Sequence, residues 1–103
     1  MTTQDQPGPS GTTRPPPVTA REVALVRVLL AAEPGWQSCT ELAAAAGVPV
    51  RTARHLLARL CTVGLVDLAP VRPGPRYRLA DGSQRGAYLH RVDAAAEVLG
   101  LRP

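Results

Sequence analysis

Gly47 and Gly64 constrain this chain more than any other feature, because each stands where a helical run must stop. Before Gly47 lies Ser38-Cys39-Thr40-Glu41 followed by Ala43 to Ala46. The first four residues have the spacing of a capping box, and alanine is the strongest helix former. A glycine at that point lets the chain leave the helix through a left-handed residue. Between the two glycines, Pro49 opens a run in which proline suits the first helical turn, where no amide bond is lost. The sequence therefore predicts a short helix, a tight turn, and a second helix over about Pro49 to Val63.

A 100° wheel sorts the second of these helices into two sides. Ala53, Leu56, Leu57 and Leu60 fall together and are expected to face a core. Arg51, His55, Ala58 and Thr62 fall opposite, with Arg54 and Arg59 at the edges. From Arg51 to Val63 there is no Asp or Glu to neutralise the arginines.

Upstream, Thr19-Ala20-Arg21-Glu22 reads as another capping box, with Val18 and Val23 as its hydrophobic staple. That helix is expected to end near Glu33, before Pro34-Gly35. Val23, Val26 and Leu30 face one way along it, while Leu25, Val28 and Leu29 face another, so it needs two partners. Trp36 and Gln37 are expected to form a short strand, with Trp36 as a core anchor. Downstream, Leu65 to Ala69 and Arg76 to Ala80 flank the loop Pro70-Val71-Arg72-Pro73-Gly74-Pro75. Tyr77 and Leu79 alternate with Arg76 and Arg78, the period of a half-buried strand. A last helix is expected over about residues 84 to 99, with Tyr88, Val92, Ala95, Ala96 and Leu99 at helical spacing.

This order predicts a mainly α fold with a small β-hairpin: a winged helix-turn-helix with an added C-terminal helix. Residues 1–17 hold five prolines and two glycines, with no large apolar residue after Met1, and are expected to be a disordered arm. The fold is expected over 18–80, with 81–103 as the C-terminal helix, whose apolar stripe has two candidate partners: the first helix of its own chain, or a twin, as a dimerisation element. About 80 residues make one small core and no deep enzyme cleft.

Charge placement points to a partner. From residue 51 to 91 eight arginines face Asp67 and Asp81 alone, a local +6, whereas the rest of the chain carries −2. The basic half is the half with the arginine-bearing helix and the hairpin, as a phosphate-binding surface requires. An ordinary solvated basic surface has the same composition, so the charge alone does not decide. Outward residues in the first turns of such a helix reach base edges. The candidate DNA-binding residues are Val50, Arg51, Thr52, Arg54, His55 and Arg59 on the helix, and Arg72, Arg76 and Arg78 on the wing. Of these, Arg51, Arg54 and His55 are expected on bases and Thr52 and Arg59 on phosphates.

The run LAAAAGVPVRTARHLLARLCTVGLV resembles the helix-turn-helix of bacterial winged-helix regulators, the MarR-like, ArsR-like and IclR-like groups among them. Ala43-Ala44, Gly47-Val48, Thr52, Leu56, Leu60 and Gly64-Leu65-Val66 carry the likeness, which extends over about residues 20 to 80. It implies a dimeric DNA-binding regulator. Pro49 departs from it, standing where these groups usually have a serine or threonine cap, so a capping phosphate contact is expected to be missing. No separate effector domain is evident, which weakens a ligand-sensing role.

The sequence has no Gly-rich phosphate loop, Cys-x-x-Cys or His-Glu-x-x-His, and no enzyme activity is expected. Cys39 and Cys61 stand apart, so neither a disulfide framework, a metal site nor another cofactor is expected. No signal peptide or membrane span is evident, and the expected location is the cytoplasm. The leading expectation is a sequence-specific regulator of transcription, a repressor that binds double-stranded DNA as a homodimer through Leu25, Tyr88, Val92, Ala96 and Leu99. No small-molecule ligand is expected. The alternatives are a DNA-binding accessory factor of a plasmid, phage or transposable element, and a winged-helix protein-interaction module.

Overall fold

The computed structural model describes residues 17–101. The arm expected over residues 1–17 lies outside the described residues except for Pro17. Helix α1 spans Ala20–Ala32, strand β1 Gln37–Ser38, helix α2 Cys39–Ala46 and helix α3 Val50–Thr62. Strands β2, Val66–Ala69, and β3, Arg76–Leu79, form the hairpin, and helix α4 spans Arg85–Val98.

Helix α2 starts as its sequence dictates. The Ser38 hydroxyl accepts from the Glu41 amide, and the Glu41 carboxylate accepts from the Ser38 amide at 2.9 Å. Its exit is Gly47 at φ +71°, and Gly64 takes φ +81° just after α3. A side-chain-bearing residue in either conformation costs roughly 1–2 kcal/mol. Pro49 is the N-cap of α3 and gives it no side-chain bond, so the first-turn amides of that helix have no side-chain partner.

The two apolar faces of α1 find the two partners they need. Val23, Leu25, Val26 and Leu29 are buried, and α1 packs on α2 and on α4. Ala53, Leu57 and Leu60 bring α3 into the same core, with Leu56 half-buried at its margin. The antiparallel sheet has the order β1-β3-β2. Gln37 stands opposite Tyr77, and Val66 opposite Leu79. Tyr77 and Leu79 are buried while Arg76 and Arg78 are not, as the alternation predicts.

Three expectations need correction. Trp36 precedes β1 and is only half-buried: it lies under the Arg78 guanidinium, 4.2 Å from ring centre to Cζ, rather than in the core. The first capping box is half-formed. Thr19 accepts from the Glu22 amide at 3.2 Å, but the Glu22 side chain turns inward and is buried. Third, Leu25, Tyr88, Val92 and Ala96 are already buried within one chain, because α4 folds back on α1. Of the set expected to join two chains, only Leu99 stays exposed, at 47%, beside Val98 at 87%. Among the described residues no helix is long and apolar enough to cross a membrane.

Candidate nucleic-acid interface

The core leucines of α3 fix which residues look outward. With Ala53, Leu57 and Leu60 inside, Arg51, Arg54, His55, Ala58 and Thr62 are exposed. Val50, in the first turn, is 38% exposed. Arg51, Thr52, His55 and Leu56 line one shallow open concavity on this side of the helix. Thr52 is half-buried, and its hydroxyl accepts from Arg21 Nη1 at 3.4 Å. This brings a cation from α1 to the rim of the same surface. Nothing in the sequence marks Arg21 for this place, since it lies outside the basic segment.

The described residues sort the arginines of that segment into two kinds. Arg51, Arg54 and Arg72 pair with no carboxylate among them. Arg59, Arg76 and Arg85 each do. Arg76 meets Glu41 at 3.3 Å, fastening the wing to the start of α2. Glu41 is held below the usual carboxylate range, first by the amide and hydroxyl of Ser38 and then by Arg76. Arg85 grips Glu33 with two bonds, of 2.7 and 2.5 Å, and these hold Glu33 below its ordinary range. Arg78 covers Trp36, and Arg91 lies over the Tyr88 ring at 5.9 Å.

Arg59, expected on a phosphate, has a partner within the chain: it donates to Glu22, whose side chain is 3% exposed. The hydroxyl of Tyr88 donates to the other oxygen of the same carboxylate at 2.5 Å. Burial, then the bond to Glu22, pushes the Tyr88 phenol well above its ordinary pKa, so the proton stays in place. A cavity lined by Leu60, Val63, Leu65, Gln84 and Arg91 opens beside this cluster. Glu22 was not legible as a site residue, and Tyr88 was expected only at a dimer contact. A Thr-x-x-Glu spacing suggests only a cap, and the tyrosine sits in an apolar stripe.

The two thiols sit on different helices, Cys39 on α2 and Cys61 on α3. Cys39 Sγ donates to the Val50 carbonyl at 3.8 Å, and burial raises the pKa of both Cys39 and Cys61. Both therefore remain neutral thiols near pH 7, the less nucleophilic form.

A helix-turn-helix with its second helix uncovered, next to a three-stranded sheet whose hairpin projects beside it, is a winged helix-turn-helix. No protein-family model matches the chain, and no curated protein matches it. Solved structures do. A MarR family transcriptional regulator from Silicibacter pomeroyi superposes with a TM-score of 0.59 at 19% identity, covering 84% of this chain and 58% of that one. The homodimeric winged helix-turn-helix DNA-binding domain of a possible ArsR-family transcriptional regulator from Mycobacterium bovis gives 0.55 at 24%, covering 81% and 75%. NadR, solved in complex with 4-hydroxyphenylacetate, gives 0.52 at 28%, covering 80% and 64%. The chain thus spans somewhat more than half the length of the first of these. The fold that the sequence predicted, with its likeness to MarR-like and ArsR-like regulators, is the fold observed.

Proposed function

We propose that this protein is a sequence-specific regulator of transcription that binds double-stranded DNA with α3 in the major groove. The observation that carries this reading is the side of α3 formed by Arg51, Arg54 and His55, exposed and without a carboxylate partner among the described residues. Arginine in that position can give two parallel bonds to guanine O6 and N7. Thr52 and the first-turn amides of α3 suit a phosphate, because a helix N-terminus favours an anion. Arg72, at the turn of the hairpin, suits the backbone or the minor groove. In this assignment Arg59, Arg76 and Arg78 anchor the fold and do not touch nucleotides.

We further propose that the chain acts as a homodimer and a repressor. Exposed Val98 and Leu99 at the end of α4 supply apolar surface for a twin, and the Mycobacterium bovis neighbour is described as homodimeric. A dimer spaces two recognition helices about 34–36 Å apart, one turn of DNA. Repression needs no more than occupancy of a promoter.

The test is selection of duplexes from a randomised pool, followed by titration of binding against salt. A recovered motif with two half-sites is expected, with log affinity falling by about 0.9 per phosphate contact for each tenfold rise in salt. Failure to retard any duplex at low salt, with a protein complex recovered instead, would replace this reading by that of a protein-interaction module.

A further inference from the structure

Three helices meet on one carboxylate. Glu22 comes from α1 and is 2% exposed. Arg59 from α3 donates to one of its oxygens, and Tyr88 from α4 donates to the other at 2.5 Å. A buried carboxylate is tolerated only while its partners remain, so each of these bonds resists loss of the others. The Arg59 side chain is still 44% exposed, which would also leave it room to reach a phosphate.

The position of Arg59 along α3 gives the arrangement its meaning. Arg51, His55 and Arg59 are spaced four residues apart, so they run along adjacent faces of one helix. Holding Arg59 therefore adds a directional restraint on the rotation of α3 to that of buried Ala53, Leu57 and Leu60, and with it on the direction of Arg51 and His55. Leucines alone hold this less tightly, because apolar contacts are not directional.

We infer that Glu22 and Tyr88 are positioning residues for the recognition helix. Arg59 is the handle by which α3 is held, not a contact to DNA, and Tyr88 makes α4 part of the hold. This rests on the proposed docking of α3 on DNA.

The test uses the full chain with Arg59→Gln, Tyr88→Phe and Glu22→Gln, each measured on a duplex that the wild type selects and on an unrelated duplex. Arg59→Gln and Tyr88→Phe are each expected to weaken specific binding about tenfold, the scale of a hydrogen bond to a charged group. Neither should change the salt dependence or the affinity for the unrelated duplex. Combining Glu22→Gln with Arg59→Gln should be no worse than the more damaging single change, because the residues act as one unit. If the salt slope of Arg59→Gln falls by about 0.9 while Tyr88→Phe binds like wild type, Arg59 is a phosphate contact and the inference fails.

Amide exchange of the chain without DNA supplies a separate measure. Exchange across α3 should quicken in Tyr88→Phe and Arg59→Gln relative to α2, and equal protection in all three proteins overturns the inference. A wild type that retards no duplex removes the proposed function, and the hold on α3 is then judged by exchange alone.

Discussion

Arg51 and Arg54 on α3 have no carboxylate partner among the described residues, whereas Arg76 and Arg78 on β3 are engaged by Glu41 and Trp36 of the same chain. The two regions are alike in sequence: each presents arginines on an outer face next to inward apolar residues. They differ in what the rest of the fold brings near them. Helix α3 packs its first turns against alanine-rich α2, whose single acid, Glu41, points at the wing. Strand β3 lies between two others and so gains neighbours on both sides. A count of +6 across the segment therefore overstates the charge open to a ligand, which is concentrated on the first turns of α3 and at Arg72.

This contrast is open to direct attack, and the strongest blow is at α3. Replacing Arg51 and Arg54 together by alanine should cost about 2–6 kcal/mol of specific binding, from roughly 1–3 kcal/mol for each bidentate contact. Folding stability should move by less than about 0.5 kcal/mol, as is usual for exposed sites. Unchanged binding by this double variant would mean that α3 does not read bases. Within the wing, Arg72→Ala should lower the salt slope by about 0.9, whereas Arg76→Ala should leave it where it is. Equal slopes for the two would erase the distinction between open and engaged arginines.

A smaller effect is expected at Arg78. Its replacement by alanine should reduce stability by about 0.5–1 kcal/mol, the worth of an exposed cation–π contact, and shift the emission of Trp36. DNA affinity should stay at the wild-type value, and a large fall would return Arg78 to the binding surface. The smallest effect concerns the Arg85–Glu33 pair, an engaged arginine away from both regions. Because the Glu33 pKa is depressed below 4.5 in the folded chain, its stabilising contribution is complete above that value and lost as pH falls through the depressed one. Melting curves of Glu33→Gln should show that loss reduced by up to about 1 kcal/mol, the range of a partly exposed ion pair.

The order of elements was legible because it depends on local signals. Gly47, Gly64 and the alternation at Tyr77 and Leu79 act within a few residues of chain, and the structure follows them. What escaped depends on long-range proximity. Thr19 to Glu22 and Ser38 to Glu41 have the same spacing, yet only the second forms a reciprocal cap. Glu41 is exposed, and the Ser38 amide is a ready donor. Glu22 lies where α3 and α4 converge, and there a guanidinium and a phenol compete for it successfully. The same convergence gives Arg59 a partner within the chain and buries most of the expected dimer stripe. Trp36 was misplaced for a related reason: a lone large aromatic suggests a core, and only the register of β3 shows that Arg78 covers it.

Strand β1 contributes two residues, and their pairing with β3 has a mechanical consequence. The strand runs directly into α2, so the loop-side half of the hairpin is welded to the start of the helix that leads into α3 and riveted again where Arg76 meets Glu41. Such a joint works like the fixed jaws of a gauge. A polymer that touches both jaws is selected by its own width, and one of the wrong calibre has to deform before it can engage them.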